Sequence, residues 1–139
     1  MHKKLALAAI AATLAGCSTP PPVPPVPLPT LDDYKLGVAK RIVAASRDTY
    51  STPVPEMLKS IIVLEIAIDK TGAPLEVSAF RTNGYDALTH RAIASVVDAA
   101  PFAPPAPALL QDSGSLRFLE TFLFRDDDAF QLRSLVPAP

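Results

Sequence analysis

Residues 61–105 read IIVLEIAIDKTGAPLEVSAFRTNGYDALTHRAIASVVDAAPFAPP, and this stretch alone spells strand, turn, strand, turn, helix, stop. Ile62, Leu64, Ile66 and Ile68 recur at every second residue, the period that lines one face of a strand, and DKTG follows as a turn. Leu75, Val77 and Ala79 repeat the alternation, so the two segments are expected to pair as an antiparallel hairpin. Asn83-Gly84 then breaks the pattern. Beyond it the period is helical, with Leu88, Ala92, Ile93, Val96, Val97 and Ala100 expected on one face. A hairpin with a helix across it is an unfinished two-layer core that another strand and helix would close.

Both flanks offer what is missing. Upstream, Thr30 can cap a helix opened by Leu31, Asp32 and Asp33, whose carboxylates oppose the helix dipole. Leu31, Tyr34, Val38, Ile42 and Ala45 form its apolar stripe, while Lys35, Lys40, Arg41 and Arg47 are expected on other faces or in the last turns. Ser51-Thr52-Pro53-Val54-Pro55 ends the helix in an extended link. Downstream, residues 101–107 (PFAPPAP) stop the second helix and return the chain along the outside of the domain, and Ser113-Gly114 is a turn. Residues 116–124, LRFLETFLF, make a full strand with Leu116, Phe118, Phe122 and Phe124 toward the core. Glu120 interrupts that side and is expected at a strand edge or bulge. Asp126 to Asp128 read as a turn, and Phe130-Gln131-Leu132 as a short last strand. The fold class expected is α+β: a three-stranded antiparallel sheet, four-stranded if residues 130–132 join it, with two helices packed on one face.

The chain begins with a different signature. Lys3 and Lys4 precede a mostly apolar run over residues 5–14, which as a helix would span about 15 Å, half the ~30 Å hydrocarbon core of a bilayer. That length fits a secretory signal rather than a transmembrane helix. Leu14-Ala15-Gly16-Cys17 resembles the bacterial lipobox, whose cysteine is acylated, with palmitate among the acyl chains, and becomes the first mature residue. Cys17 is the single cysteine of the 139 residues, so it has no internal disulfide partner. Several acyl chains hold a protein on a bilayer far better than one. Ser18 follows the cysteine where an aspartate would favour inner-membrane retention in enteric-type lipoproteins, and this resemblance implies the outer membrane, periplasmic face. Residues 20–29, PPPVPPVPLP, lack the amide donors of helix or sheet and form a spacer reaching about 31 Å. The expected organisation is a signal at 1–16, lipidated Cys17 and spacer at 17–29, one folded domain at 30–133 and a tail at 134–139.

Composition excludes some partners. Without the signal, 11 Lys and Arg stand against 14 Asp and Glu, a formal charge of −3, and the basic residues are scattered. Nothing there suggests the basic face that nucleic-acid binding requires, so nucleic acid is rejected as a partner. The enzyme reading fares little better. His90, the one histidine of the mature chain, follows Asp86 by four residues, which makes an exposed helical pair rather than a catalytic dyad lacking its nucleophile. Asp126 to Asp128 lack the glycine and distal glutamate of a calcium loop. The five glycines are spread singly, without a phosphate-cradling loop. No catalytic residue, cofactor or metal is expected.

In order and spacing, several of these features resemble the carboxy-terminal domain of the TonB family, with TolA a more remote relative. The resemblance covers roughly residues 34–132. It rests on Tyr34, Ile42 and Pro53 in the first helix and its exit, on the hairpin IIVLEIAIDKTGAPLEV, on Arg81-Thr82-Asn83-Gly84 at a family turn, and on Ala100-Pro101-Phe102 closing the second helix. Thr89 departs from an aspartate common in the family. The resemblance implies that a partner peptide adds as a strand along the last long strand, here Leu116, Phe118, Glu120, Phe122 and Phe124. Residues 130–132 covering that edge is the alternative. It does not imply energy transduction, because the chain shows neither the transmembrane helix nor the long arm of a transducer. The expected function is a strand-addition adaptor of the cell envelope, linked to outer-membrane transport and anchored through Cys17. Its partners are the membrane and an envelope protein or peptide, and an exposed edge can also take a second copy as a homodimer. A structural envelope lipoprotein and a divergent TonB-type transducer are the alternatives.

Overall fold

The computed structural model describes residues 15–24 and 29–138; residues 1–14 of the expected signal, residues 25–28 of the expected spacer and Pro139 lie outside the described residues. The first helix, α1, is Leu31–Ala45. Thr30 caps it: its hydroxyl accepts the Asp33 amide at 3.2 Å, and the Asp33 carboxylate accepts the Thr30 amide at 3.0 Å, a closed capping box. These bonds from Thr30, the backbone one foremost, hold the Asp33 carboxyl below its ordinary range. Val38, Ala39 and Ile42 are the buried face, while Leu31 and Ala45, at the two ends of the expected stripe, are exposed. The last turn holds no basic residue, because the chain leaves the helix before Arg47. Arg41 instead donates to the Ala99 carbonyl at 3.0 Å, at the end of the second helix, α2 (Asp86–Ala99).

Four strands, β1 (Ser60–Asp69), β2 (Pro74–Arg81), β3 (Ser115–Phe124) and β4 (Phe130–Leu132), form one antiparallel sheet in the order β2-β1-β3-β4. The two helices pack on the sheet face carrying Ile62, Leu64, Ile66 and Ile68 of β1 with Leu116, Phe118, Phe122 and Phe124 of β3. Removing a large aliphatic or aromatic side chain from water contributes about 1.5–3 kcal/mol, so this face dominates the stability of the fold. The β1–β2 turn is held by Asp69, whose carboxylate accepts the amides of Thr71 (2.8 Å) and Ala73 (3.0 Å). Gly72 sits there at a φ of 93°, and its carbonyl accepts the Phe102 amide at 2.9 Å. A Cβ at Gly72 would collide with the Phe102 carbonyl.

Two expected faces shift. Along α2 the buried residues are Leu88, Thr89, Ala92, Val96 and Ala99, and Val97 is 52% exposed. Leu88, Ala92, Val96 and Ala99 follow the helical spacing, and Val97 lies about 100° further round. Thr89 is tolerated at the buried position because its hydroxyl lies 3.0 Å from that of Thr82 and donates to the Tyr85 carbonyl at 3.2 Å. In β2, Val77 packs on the core but Leu75 is exposed, a consequence of an irregular register at the edge of the sheet.

The fold also extends further than 133. A 3-10 turn, Arg133–Leu135, continues past β4; Leu135 packs on the core and the Ser134 amide is hydrogen-bonded to Glu120. Ser134 and Leu135 are therefore part of the domain and not of a tail.

Candidate functional site

The five residues expected at the binding edge, Leu116, Phe118, Glu120, Phe122 and Phe124, are all buried. β3 pairs with β1 without interruption from Ser115 to Phe124, and with β4 at Phe122, Leu123 and Phe124 only. The N–H and C=O of one strand residue point to the same side, and successive residues alternate sides. Phe124 accepts the Lys59 amide at 3.0 Å on the β1 side, whereas Arg125 donates to Ala129 at 2.9 Å on the β4 side. The even residues of β3 therefore bond to β1. The outward-facing groups belong to Ser115, Arg117, Leu119, Thr121 and Leu123. The five expected residues define the strand, but their side chains fill the core and their amides are consumed by β1; this corrects the choice of residues within the stretch.

Only part of the outer side is covered. Leu123 meets Gln131 of β4, and β4 is in turn bridged by Thr49, with Tyr50 donating to the Phe130 carbonyl at 3.1 Å. Among the described residues no strand pairs with 115–121 on that side. The Ser115 carbonyl accepts the Gln111 amide at 2.8 Å, and the Arg117 carbonyl accepts the Gln111 side-chain amide at 3.4 Å. Coverage by β4 thus holds only in part: residues 122–124 are closed, and among the described residues the segment around Leu119, 37% exposed, has no strand on its outer side.

Glu120 lies on the part of β3 that no strand flanks on its outer side, but there is no bulge, and its own backbone groups face β1. It is 1% exposed, opposite Leu64 in an unbroken register, and its carboxylate curls toward the outer side. Oε1 accepts the Thr121 amide at 3.0 Å and the Ser134 amide at 3.3 Å, while Oε2 is buried without a partner. A carboxylate is accepted at this core position because it supplies acceptors where β4 and the last turn stop pairing.

The opposite sheet face carries a cross-strand charge cluster. Arg117 of β3 donates to Glu65 of β1 at 2.6 Å and to Glu76 of β2 at 3.3 Å, and hydrogen bonds to Glu65 and then Glu76 push its pKa up. Such exposed pairs contribute little to stability.

The remaining candidates are placed as follows. Asp86 and His90 are both exposed on α2. Asp127 pairs with Arg125 and Asp128 with Lys59, each at 2.6 Å, in the β3–β4 turn. Among the described residues no three His, Cys, Asp or Glu gather as a metal site. Cys17 is exposed at the head of the spacer, and no described helix is long and apolar enough to cross a membrane.

Two organising residues have no sequence signal of their own. Arg91 donates to the Asp128 carbonyl at 2.6 Å and pairs with Asp48 at 3.2 Å, so α2, the α1 exit and the β3–β4 turn share one guanidinium. Tyr50, buried beneath Arg125, donates to the Leu123 carbonyl at 3.0 Å. Comparison of the chain with protein-family models, with curated proteins and with solved structures found no match in any of the three.

Proposed function

We propose that this protein is a lipid-anchored adaptor of the bacterial envelope that binds an extended peptide by strand addition to the outer side of β3. The observation that carries this reading is the unpaired side of residues 115–121, where Arg117, Leu119 and Thr121 point backbone groups outward. The resemblance to the TonB carboxy-terminal domain supports it, since the strand and helix order is compatible with that domain. The lipobox at Cys17, Ser18 after it and the proline-rich spacer support attachment to the outer membrane on its periplasmic face, with the domain held clear of the head groups. A partner in transport across that membrane is the natural occupant.

A structural envelope lipoprotein without a peptide ligand is the second reading. It is favoured by one observation: Gln111 and Glu120 already occupy three of the outward backbone groups, at Ser115, Arg117 and Thr121. Leu119 separates the two readings. Proline there removes an outward donor without breaking the β1 ladder, whereas alanine removes only the side chain. Capture of a discrete envelope protein by the detergent-solubilised chain, kept by Leu119→Ala and lost by Leu119→Pro, fits strand addition. Equal capture by all three, or none by any, fits the structural reading.

A further inference from the structure

We propose that the other end of the sheet, the outer edge of β2 with the groove beside α2, pairs with β2 of a second copy of this chain. This surface is independent of the β3 edge. Two register irregularities, one between Val63 and Leu64 and one between Ala67 and Ile68, each leave one extra residue on β2. The extra residues are Phe80 and Leu75, and they are 56% and 61% exposed. Val97 of α2, 52% exposed, adds a third apolar group. Leu75, Val77, Ile93, Val97 and Ala100 line a groove of about 260 Å³ between the strand and the helix. Apolar side chains gathered along an unpaired strand edge mark an association surface.

The edge is self-complementary in its hydrogen-bonding groups. The Asp69 amide donates to the Ala73 carbonyl at 2.9 Å, which sets the odd residues of β1 toward β2. Glu65 with Ser78 and Ala67 with Glu76 are then the bonded pairs, and Val77 and Ala79 point their N–H and C=O outward. Those two residues flank Ser78 symmetrically. A two-fold axis at Ser78 joins Val77 of each copy to Ala79 of the other through four hydrogen bonds, and keeps both helix layers on one side.

Charge follows the same symmetry. The axis sets Glu76 of one copy beside Phe80 and Arg81 of the other, and among the described residues Arg81 has no ion pair. It also lays residues 79–82 of one copy alongside residues 74–77 of the other, the stretch that borders the groove at Val97. Donors, charge and apolar surface thus all select another β2 as the occupant, and the two irregularities confine the ladder to the residues between them.

The test is cysteine cross-linking of the full chain in its own membrane. A Ser78–Ser78 contact is a non-bonded antiparallel pair with Cα atoms about 4.5 Å apart, inside the disulfide range of about 4.4–6.8 Å. On mild oxidation Ser78→Cys is expected to give at least ten-fold more covalent dimer than Ser113→Cys, an exposed position in the turn before β3 and off the β2 edge. The unsubstituted chain controls for Cys17. Adding Ala79→Pro, which removes an outward donor, is expected to abolish the dimer. Should that protein fail to accumulate, Val97→Arg at an exposed position decides instead. No excess of dimer over Ser113→Cys, a dimer that survives the second change, or cross-linking of Ser78→Cys to a different protein would each overturn the proposal.

Discussion

The buried Glu120 carboxylate accepts the Ser134 amide at 3.3 Å, so a residue inside the sheet core holds the turn that follows the last strand. The same oxygen takes the Thr121 amide at 3.0 Å and fixes where the open part of the β3 edge ends. Glu120→Ala leaves both amides without this acceptor and opens a cavity, and is expected to cost about 2–4 kcal/mol. Glu120→Gln keeps an acceptor for both and is expected to cost less. Urea midpoints of the two variants check the order.

Arg91 makes a comparable link from outside the core. Arg91→Ala removes the bond to the Asp128 carbonyl and the pairing with Asp48, and an expected loss of about 1–2 kcal/mol allows for its partial exposure. Arg91→Lys retains the charge but not the fork and is expected to recover only part of the loss. Thermal unfolding of the pair measures this directly.

Gly72→Ala combines a left-handed backbone with a collision at the Phe102 carbonyl. A destabilisation above about 2 kcal/mol is expected. Gly84→Ala, also at positive φ but with nothing within 4 Å of the added Cβ, is expected to be milder.

Alkaline pH addresses Tyr34, whose hydroxyl donates to the Ala103 carbonyl at 2.8 Å. Burial, and then the negative charge of Asp69, push its pKa up to about 12, and burial raises Tyr50 as well. Because the folded value lies above that of the unfolded chain, about 10, the stabilisation is complete below pH 10 and is lost as pH rises toward 12. Unfolding midpoints followed over that window are expected to fall less steeply for Tyr34→Phe than for the native chain.

The parts of the fold legible in the sequence are those written as period. Ile62, Leu64, Ile66 and Ile68 could be assigned to the core because a strand in contact with helices on one face must alternate, and the capping residues around Thr30 state their own geometry. What escaped depends on register and on distance in sequence. The choice between even and odd residues of β3 as the outward set is made by pairing with β1, some 50 residues earlier, so no local pattern carries it. Glu120 reads as an interruption until Ser134 is seen beside it, and nothing in the local pattern singles out Arg91, on which Asp48 and Asp128 converge. Leu75 keeps the alternation in sequence and loses it in space because an irregular register displaces it.

Amide hydrogen exchange across β3 distinguishes a free outer edge from one paired with a partner strand. In the isolated protein the Leu119 amide is expected to exchange rapidly while those of Phe118 and Glu120, bonded to β1, are protected. With the captured envelope partner bound, the Leu119 amide is expected to become protected as a new strand pairs with it. A partner that binds with full affinity and leaves Leu119 exchanging as before would contradict strand addition at this edge.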